Sequence, residues 1–305
     1  MFKLMSRKML GLAMVAVLTT GALAGCGTKN NDSKTTTNGS TPAPSAAATA
    51  TKAPEVTGKV SASGSTALQP LVAKAAQDFM AKNPKAEVTV TGGGSGTGVK
   101  NVADGVSDIG NSDVEADPQY KDKLKDNIVV LAPFALIVNK DVGVDNLTKQ
   151  QAADIFMGNI KNWKEVGGKD QPINVVHRQE SSGSRKLVKQ IVLDNKEFTK
   201  DGVTQDASKT VAEAVGTTAG SIGYVDVPYI KGNDKIKALK LDGVEYSADN
   251  IKAGKYPLYG IEHMYTKGEP TGATKAFLDF IMSKEFLNKP EVVDLGFLPA
   301  DLLKK

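Results

Sequence analysis

Residues 87–106 read EVTVTGGGSGTGVKNVADGV. Glu87 to Thr91 alternates as a half-buried strand does, Gly92–Gly98 is a run of small residues, and Val99, Val102 and Val106 fall in a following helical segment. Strand, small polar loop and helix in close succession mark an α/β body with a mostly parallel sheet. The same unit stands upstream, where Val60 to Ala62 runs into Gly64-Ser65-Thr66. Leu71, Val72, Ala75, Ala76, Phe79 and Met80 then predict an amphipathic helix over 70–82, stopped by Asn83-Pro84. It stands a third time downstream: strand Ile173–Val176, loop His177–Ser184, and a helix with Leu187, Val188, Ile191 and Val192.

Between these units, Ile128 to Val138 (IVVLAPFALIV) is apolar except for the interruption at Pro133. It reads as a buried strand, or as one that bends where the chain leaves one domain for the other. Thr148 opens a helix containing Ala152, Ile155 and Phe156, Gly220–Val225 is a short strand, and Thr274–Met282 is the last helix. The chain of 305 residues has room for about two domains. The expectation is a two-lobed α/β body with ligand in the cleft between lobes, where the loops of such sheets converge.

The N-terminus has a different character. Lys3, Arg7 and Lys8 precede an apolar stretch, Met9–Leu18, and the small-residue tetrad Leu23-Ala24-Gly25-Cys26. This pattern reads as an export signal over 1–25 rather than a membrane span, for which the stretch is too short. Residues 26–56 are dominated by Thr, Ser, Ala, Pro, Asn and Lys, a composition that bury too little apolar surface to fold, so they read as a flexible tether. With the leader's three cations removed, the formal charge of +4 falls to about +1, which gives no support for a nucleic-acid-binding body. A single cysteine excludes an internal disulfide framework.

Three polar loops precede helices: Gly64–Thr66, Gly94–Gly98 and Ser181–Ser184. A helix's first turn offers unpaired N–H groups and the positive end of its dipole, hydroxyls add donors, and glycine lets the backbone approach an anion. Each loop alone reads more readily as a plain N-cap. Together, with Arg178 beside the third, they could converge on one oxyanion, to which a guanidinium donates two parallel hydrogen bonds. Glu180 either holds Arg178 or faces solvent. Asp113 is the discriminating residue, unless it merely caps a turn: a carboxylate beside an anion is costly unless the anion carries a proton to donate. Phosphate keeps such a proton near neutral pH and sulfate does not.

Catalysis has little to stand on. His177 and His263 do not fall in a zinc-site spacing, the glycine loop lacks the Gly-Lys-Ser/Thr end of a nucleotide loop, and no Gly-x-Ser-x-Gly register places serine correctly. The expectation is a binding protein without catalytic residues, metal or cofactor.

From about residue 57 onward the chain resembles the phosphate-binding component of bacterial phosphate ABC importers, in the lipid-anchored form. The stretches that carry the resemblance are SGSTAL (63–68), GGGSGTGVK (92–100), DIGNSD (108–113), HRQESSGSR (177–185), GSIGYV (220–225) and YPLYGIEHMYTKG (256–268). The resemblance implies a type II periplasmic-binding-protein-like fold, with lobe 1 at 57–138 plus 255–305 and lobe 2 at 139–254. The hinge is expected near Pro133–Asn139 and Asp249–Tyr259. It implies phosphate held by Thr66, Ala67, Ser95, Asp113, Arg178, Ser182, Gly183 and Ser184, with Asp113 accepting the ligand's proton and Glu180 holding Arg178 where many relatives have aspartate. Ser181 and Ser184 stand where glycine and threonine are expected. Cys26 would carry the lipid. The implied partners are an ABC permease and its ATPase subunits, with a monomeric body on the outer face of the cell membrane. Alternatives are another oxyanion (sulfate, molybdate, tungstate) on the same fold, a surface adhesion or signalling lipoprotein, and a secreted phosphatase.

Overall fold

The structure, a computed structural model, describes residues 55–303. The expectations for 1–25, for Cys26 and for nearly all of the 26–56 tether lie outside the described residues. The first part of the body runs β1 (Gly58–Gly64), α1 (Gln69–Lys82), β2 (Ala86–Gly93), α2 (Ser95–Asp104), β3 (Ile109–Ser112), α3 (Pro118–Lys121) and β4 (Ile128–Asn139). The middle runs β5 (Asn146–Leu147), α4 (Lys149–Met157), β6 (Asn174–Arg178), α5 (Gly183–Ile191), β7 (Val203–Gln205), α6 (Ser208–Thr217) and β8 (Ser221–Asp226). The last part comprises β9 (Ile236–Ala238), β10 (Lys240–Leu241), α7 (Ala248–Lys252), β11 (Tyr259–Tyr265), α8 (Gly272–Ile281), α9 (Lys284–Leu287), α10 (Pro290–Val293) and β12 (Leu298–Pro299).

The strands line up as β2-β1-β3-β11-β4-β8-β6-β7. The two ends of this order are parallel, β1 with β2 and β3, and β6 with β7 and β8. The middle is antiparallel, because β11 returns against both β3 and β4, and β4 runs against β8. The mostly parallel sheet expected from the repeated units therefore holds at each end and gives way where the two ends are joined.

β4 makes that junction. Its first half pairs with β11 and β12 through Val130 and Leu131, and its second half with β8 and β9 from Phe134 onward. Pro133 sits where the ladder changes partners, so its missing N–H breaks the ladder little. The apolar packing changes at the same residue. Val129, Val130 and Ala132 pack with Val60, Leu71, Phe79, Ile109 and Phe277. Phe134, Leu136 and Val138 instead pack with Phe156, Trp163, Val188 and Tyr224, while Ile137, on the opposite face of the strand, joins Val176, Val211 and Val225. In the first of these cores Phe79 meets Phe277 edge-on at 5.4 Å, and its truncation to alanine would cost about 3–5 kcal/mol.

Candidate functional site

The strands β1, β3, β6 and β8 end in short polar segments, and the residues that follow them meet in one buried cluster. β1 leads into Ser65 and Thr66, β3 into Asp113, β6 ends at Arg178 and β8 at Asp226. Helices α2, α5 and α6 begin at the same place with Ser95, Gly183 and Ser208. Two glycines make the convergence possible. A Cβ on Gly98 would lie 2.7 Å from the Gly64 Cα, so β1 and α2 touch backbone to backbone, and a Cβ on Gly183 would collide with Ser95 Oγ and the Asp113 side chain.

Thr66, Ala67, Ser95, Asp113, Arg178, Ser182, Gly183 and Ser184 are all buried, and Asp113 shows only 4% of its surface. Arg178 donates from Nη1 to Ser208 Oγ at 3.1 Å and from Nη2 to Thr66 Oγ1 at 3.0 Å and to the Asp206 carbonyl at 3.2 Å. Thr66 Oγ1 also accepts from the Ser208 N–H at 3.1 Å, and Tyr229 Oη donates to the Thr66 carbonyl at 2.6 Å. Around Asp113, Ser65 Oγ donates to Oδ1 and Ser184 Oγ donates to Oδ2 at 3.1 Å, while the Asp113 N–H donates to Ser95 Oγ at 3.0 Å. Two of the expected residues have other partners here: the Ala67 N–H donates to Ser65 Oγ at 3.1 Å, and Ser182 Oγ caps α5 by accepting from the Arg185 N–H at 3.2 Å. Gly183 and Ser184 open α5, whose first-turn N–H groups have no intrahelical acceptor.

Glu180 is placed otherwise than expected. Its side chain is exposed, and no hydrogen bond or ion pair joins it to Arg178 among the described residues. The strand ends at Arg178, which turns into the interior, while Gln179 and Glu180 follow on the outside of the turn. Ser208, Thr66 and the Asp206 carbonyl hold the guanidinium instead.

The sequence reading does not reach Ser65 as a partner of Asp113, nor Ser208, Asp226 and Glu262. A signal for Ser208 exists, since it stands before Val211, Ala212 and Val215 as the other loop serines stand before their helices. Asp226 and Glu262 are single acids at the end of or within apolar strands, and only the fold makes them neighbours of Asp113. Burial first, and the charge of Asp113 second, push Asp226 well above the usual carboxylate range, with Arg178 pulling the other way. Burial, then Asp113 and Asp226, raise Glu262 likewise. Beside the cluster, burial lowers His177, whose Nε2 meets the Asp201 carbonyl at 2.7 Å, and the ring takes no part in the cluster. Among the described residues no group of His, Cys, Asp and Glu is arranged to hold a metal ion.

An α/β body whose strand ends and helix starts enclose one arginine among hydroxyl and amide donors is of the periplasmic-binding-protein class. Residues 41–285 match the family model of the PBP superfamily domain. The phosphate-binding protein PstS of Bacillus subtilis (strain 168) is 43% identical over 253 residues, covering 82% of this chain and 83% of that protein. A phosphate ABC transporter substrate-binding protein from Clostridium perfringens, solved with bound phosphate, superposes with a TM-score of 0.75 at 33% identity, over 79% of this chain and 99% of that one. An ABC-type phosphate transport receptor from Vibrio cholerae shares the fold with a TM-score of 0.63 at 24% identity, over 78% of this chain and 99% of that one. The chain belongs to the PstS family of phosphate-binding proteins, within the PBP superfamily.

Proposed function

We propose that the body binds inorganic phosphate in the cluster around Arg178 and Asp113 and delivers it, outside the membrane, to an ABC import permease and its ATPase subunits. The observation that carries this reading is the pairing of opposites in one buried place. Arg178 and the hydroxyls of Thr66 and Ser95 are donors for anionic oxygens, Ser184 Oγ joins them by turning its proton away from Asp113 Oδ2, and Asp113 is an acceptor that only a protonated oxyanion satisfies. Family membership supports the same ligand. The first-turn N–H groups of Gly183 and Ser184 add uncharged donors, and the Ala67 N–H joins them by releasing Ser65 Oγ. Ser182 contributes by capping α5 and so fixing those amides. No chemical step on the ligand is part of this reading.

The two lobes of the proposal follow the packing rather than the boundary expected after Val138. Residues 57–132 with 259–297 form one lobe and 134–258 the other, with Pro133 and the Leu258–Tyr259 step as hinge, because Phe134, Leu136 and Val138 pack with the second core. Release requires the lobes to part, which breaks contacts such as Ser184 to Asp113. Cys26, lipidated, would tether the body to the membrane through the 26–56 segment, and the body works as a monomer.

Calorimetric titration tests the proposal, using protein stripped of carried-over ligand by unfolding and refolding, with phosphate and then sulfate as titrants. Tight one-to-one phosphate binding with sulfate silent is expected. Sulfate or molybdate binding in its place would keep the fold and change the ligand, and binding of no anion by folded protein would favour an adhesion or signalling role.

A further inference from the structure

Glu262 lies on β11, fully buried, and is not used by the binding scheme above. β11 pairs antiparallel with β3 so that His263 faces Ser112, and the same register carried one residue further sets Glu262 opposite Asp113. Gly260 leaves the room: a Cβ there would lie 3.1 Å from both the Asp113 carbonyl oxygen and Glu262 Oε1.

The buried charges of this cluster do not balance if every acid is ionised. Asp113, Asp226 and Glu262 are its buried carboxyls, and Arg178 is the buried side-chain cation of the Lys/Arg type among the described residues. Ionising all three acids would leave an excess of negative charge buried where an anion must arrive, and an uncompensated buried charge is strongly unfavourable. Hydrogen bonding decides which acid is the acceptor. Asp113 receives hydroxyl donors on both oxygens, from Ser65 and Ser184, whereas neither oxygen of Glu262 meets a donor among the described residues. Donors favour a carboxylate and their absence favours the neutral acid. We propose that Glu262 is a positioning residue for Asp113: a neutral carboxyl group buried beside it, which keeps Asp113 the ionised acceptor and thereby fixes selectivity for a protonated oxyanion. The upward displacement of Glu262 by burial and by its acidic neighbours agrees with this.

The groups facing Glu262 are Asp113 after β3, Asp226 at the end of β8 and, beyond it, Arg178 at the end of β6. α5 presents Leu187, uncharged, over Gly260. His263, next along β11, is turned to Asp126, with Nδ1 at 2.9 Å from both carboxylate oxygens.

This inference rests on the phosphate reading, and its test separates the two. Glu262→Gln, which keeps the shape of the neutral acid and an N–H donor, and Glu262→Leu, which keeps neither, are compared with the parent chain by phosphate and sulfate titration near neutral pH. The infrared carbonyl band of a protonated carboxyl group is recorded alongside. Glu262→Gln is expected to bind phosphate within about threefold of the parent and Glu262→Leu at least about tenfold more weakly, with a narrower phosphate-over-sulfate ratio. The infrared band should weaken in both. Equal weakening by Gln and Leu would mean that a charge is required there and would overturn the proposal, as would a Leu variant indistinguishable from the parent or a band unchanged in Glu262→Gln. Should the Leu variant fail to fold, the Gln variant and the infrared band still decide. A parent chain that binds no phosphate would overturn the functional reading, and the band would still report whether Glu262 holds its proton.

Discussion

Arg178 Nη2 donates to Thr66 Oγ1 at 3.0 Å, joining segments 112 residues apart in the chain. The same hydroxyl oxygen accepts from the Ser208 N–H, so one threonine side chain ties the end of β6 and the start of α6 to the first turn after β1. A guanidinium held this way has its plane fixed before any ligand arrives, which cuts the ordering cost of binding.

That fixed plane is what lysine cannot reproduce. Arg178→Lys keeps the charge but loses the fork of donors, and Arg178→Ala loses both. With charge-assisted hydrogen bonds at about 1.5–3 kcal/mol each, both substitutions are expected to weaken phosphate binding by at least about tenfold, and alanine more than lysine. Titration calorimetry reads the difference; a lysine variant equal to the parent would show that charge alone suffices.

Asp113 should govern which anion is accepted. Asp113→Asn supplies an N–H in place of one acceptor oxygen, so the repulsion that excludes a fully deprotonated oxyanion disappears while the shape is kept. Sulfate binding should become measurable and the phosphate-over-sulfate ratio should fall by at least about tenfold, the worth of one charged hydrogen bond. An unchanged ratio would remove Asp113 from the selectivity argument.

Glu180 and Ser208 make a paired test of what holds the arginine. Glu180 is exposed and unbonded to Arg178, so Glu180→Ala should leave phosphate affinity within about twofold and stability within about 0.5 kcal/mol. Ser208 is fully buried and receives Arg178 Nη1, so Ser208→Ala should weaken binding by about three- to tenfold. The reverse ranking, measured on the two single variants, would restore Glu180 as the support.

How much of this was legible follows from the range of each signal. The strand-loop-helix units at 60–82, 87–106 and 173–192 are local, because hydrophobic period and glycine placement are set within a few residues. They mark β1, β2, β6 and the helices after them, and with them the loops that carry Thr66, Ser95 and Ser184. Pro133 also marked the residue at which β4 changes partners. The support of Arg178 is not legible from adjacency in sequence, a poor guide at a turn: two residues beyond the strand end, Glu180 has rotated outward. Ser208 comes from 30 residues away to take its place. Asp226 and Glu262 carry no local mark at all, since their meaning lies in the strand order that brings β8 and β11 to Asp113.

Gly183 tests whether the close packing at the start of α5 is needed. A Cβ there would meet Asp113 Oδ2 at 2.8 Å and the Asp113 Cβ at 2.9 Å, besides colliding with Ser95 Oγ. Neither neighbour is the free end of a long side chain, so Gly183→Ala must push α5 away from α2 and the end of β3. We expect a loss of about 1–3 kcal/mol in the stability of this packed arrangement, read by urea unfolding, together with weaker phosphate binding. Unfolding and affinity both unchanged would mean that α5 shifts without cost.

The buried acids also set how stability depends on pH. Asp226 and Glu262 are raised in the folded protein, so between an unfolded value of about 4 and their folded values the native chain holds protons that the unfolded chain has released. Their contribution is therefore greatest at low pH and is lost as pH rises through that window, by at most about 1.36 kcal/mol per pH unit for each group. Asp78 acts with the opposite sign: burial raises it, but hydrogen bonds from Lys289 at 2.7 Å and Lys74 at 2.6 Å outweigh burial and lower it. Its contribution is present above about pH 3.9 and is lost on acidification. Urea unfolding without phosphate at a series of pH values separates the two. Asp226→Asn should flatten the fall in stability above about pH 4, while Asp78→Asn should remove part of the loss below it. A parent chain whose stability does not fall as pH rises from about 4.5 to 7, or an Asp226→Asn variant with the parent's slope, would show that Asp226 is ionised in the fold, and the charge balance around Arg178 would have to be drawn again.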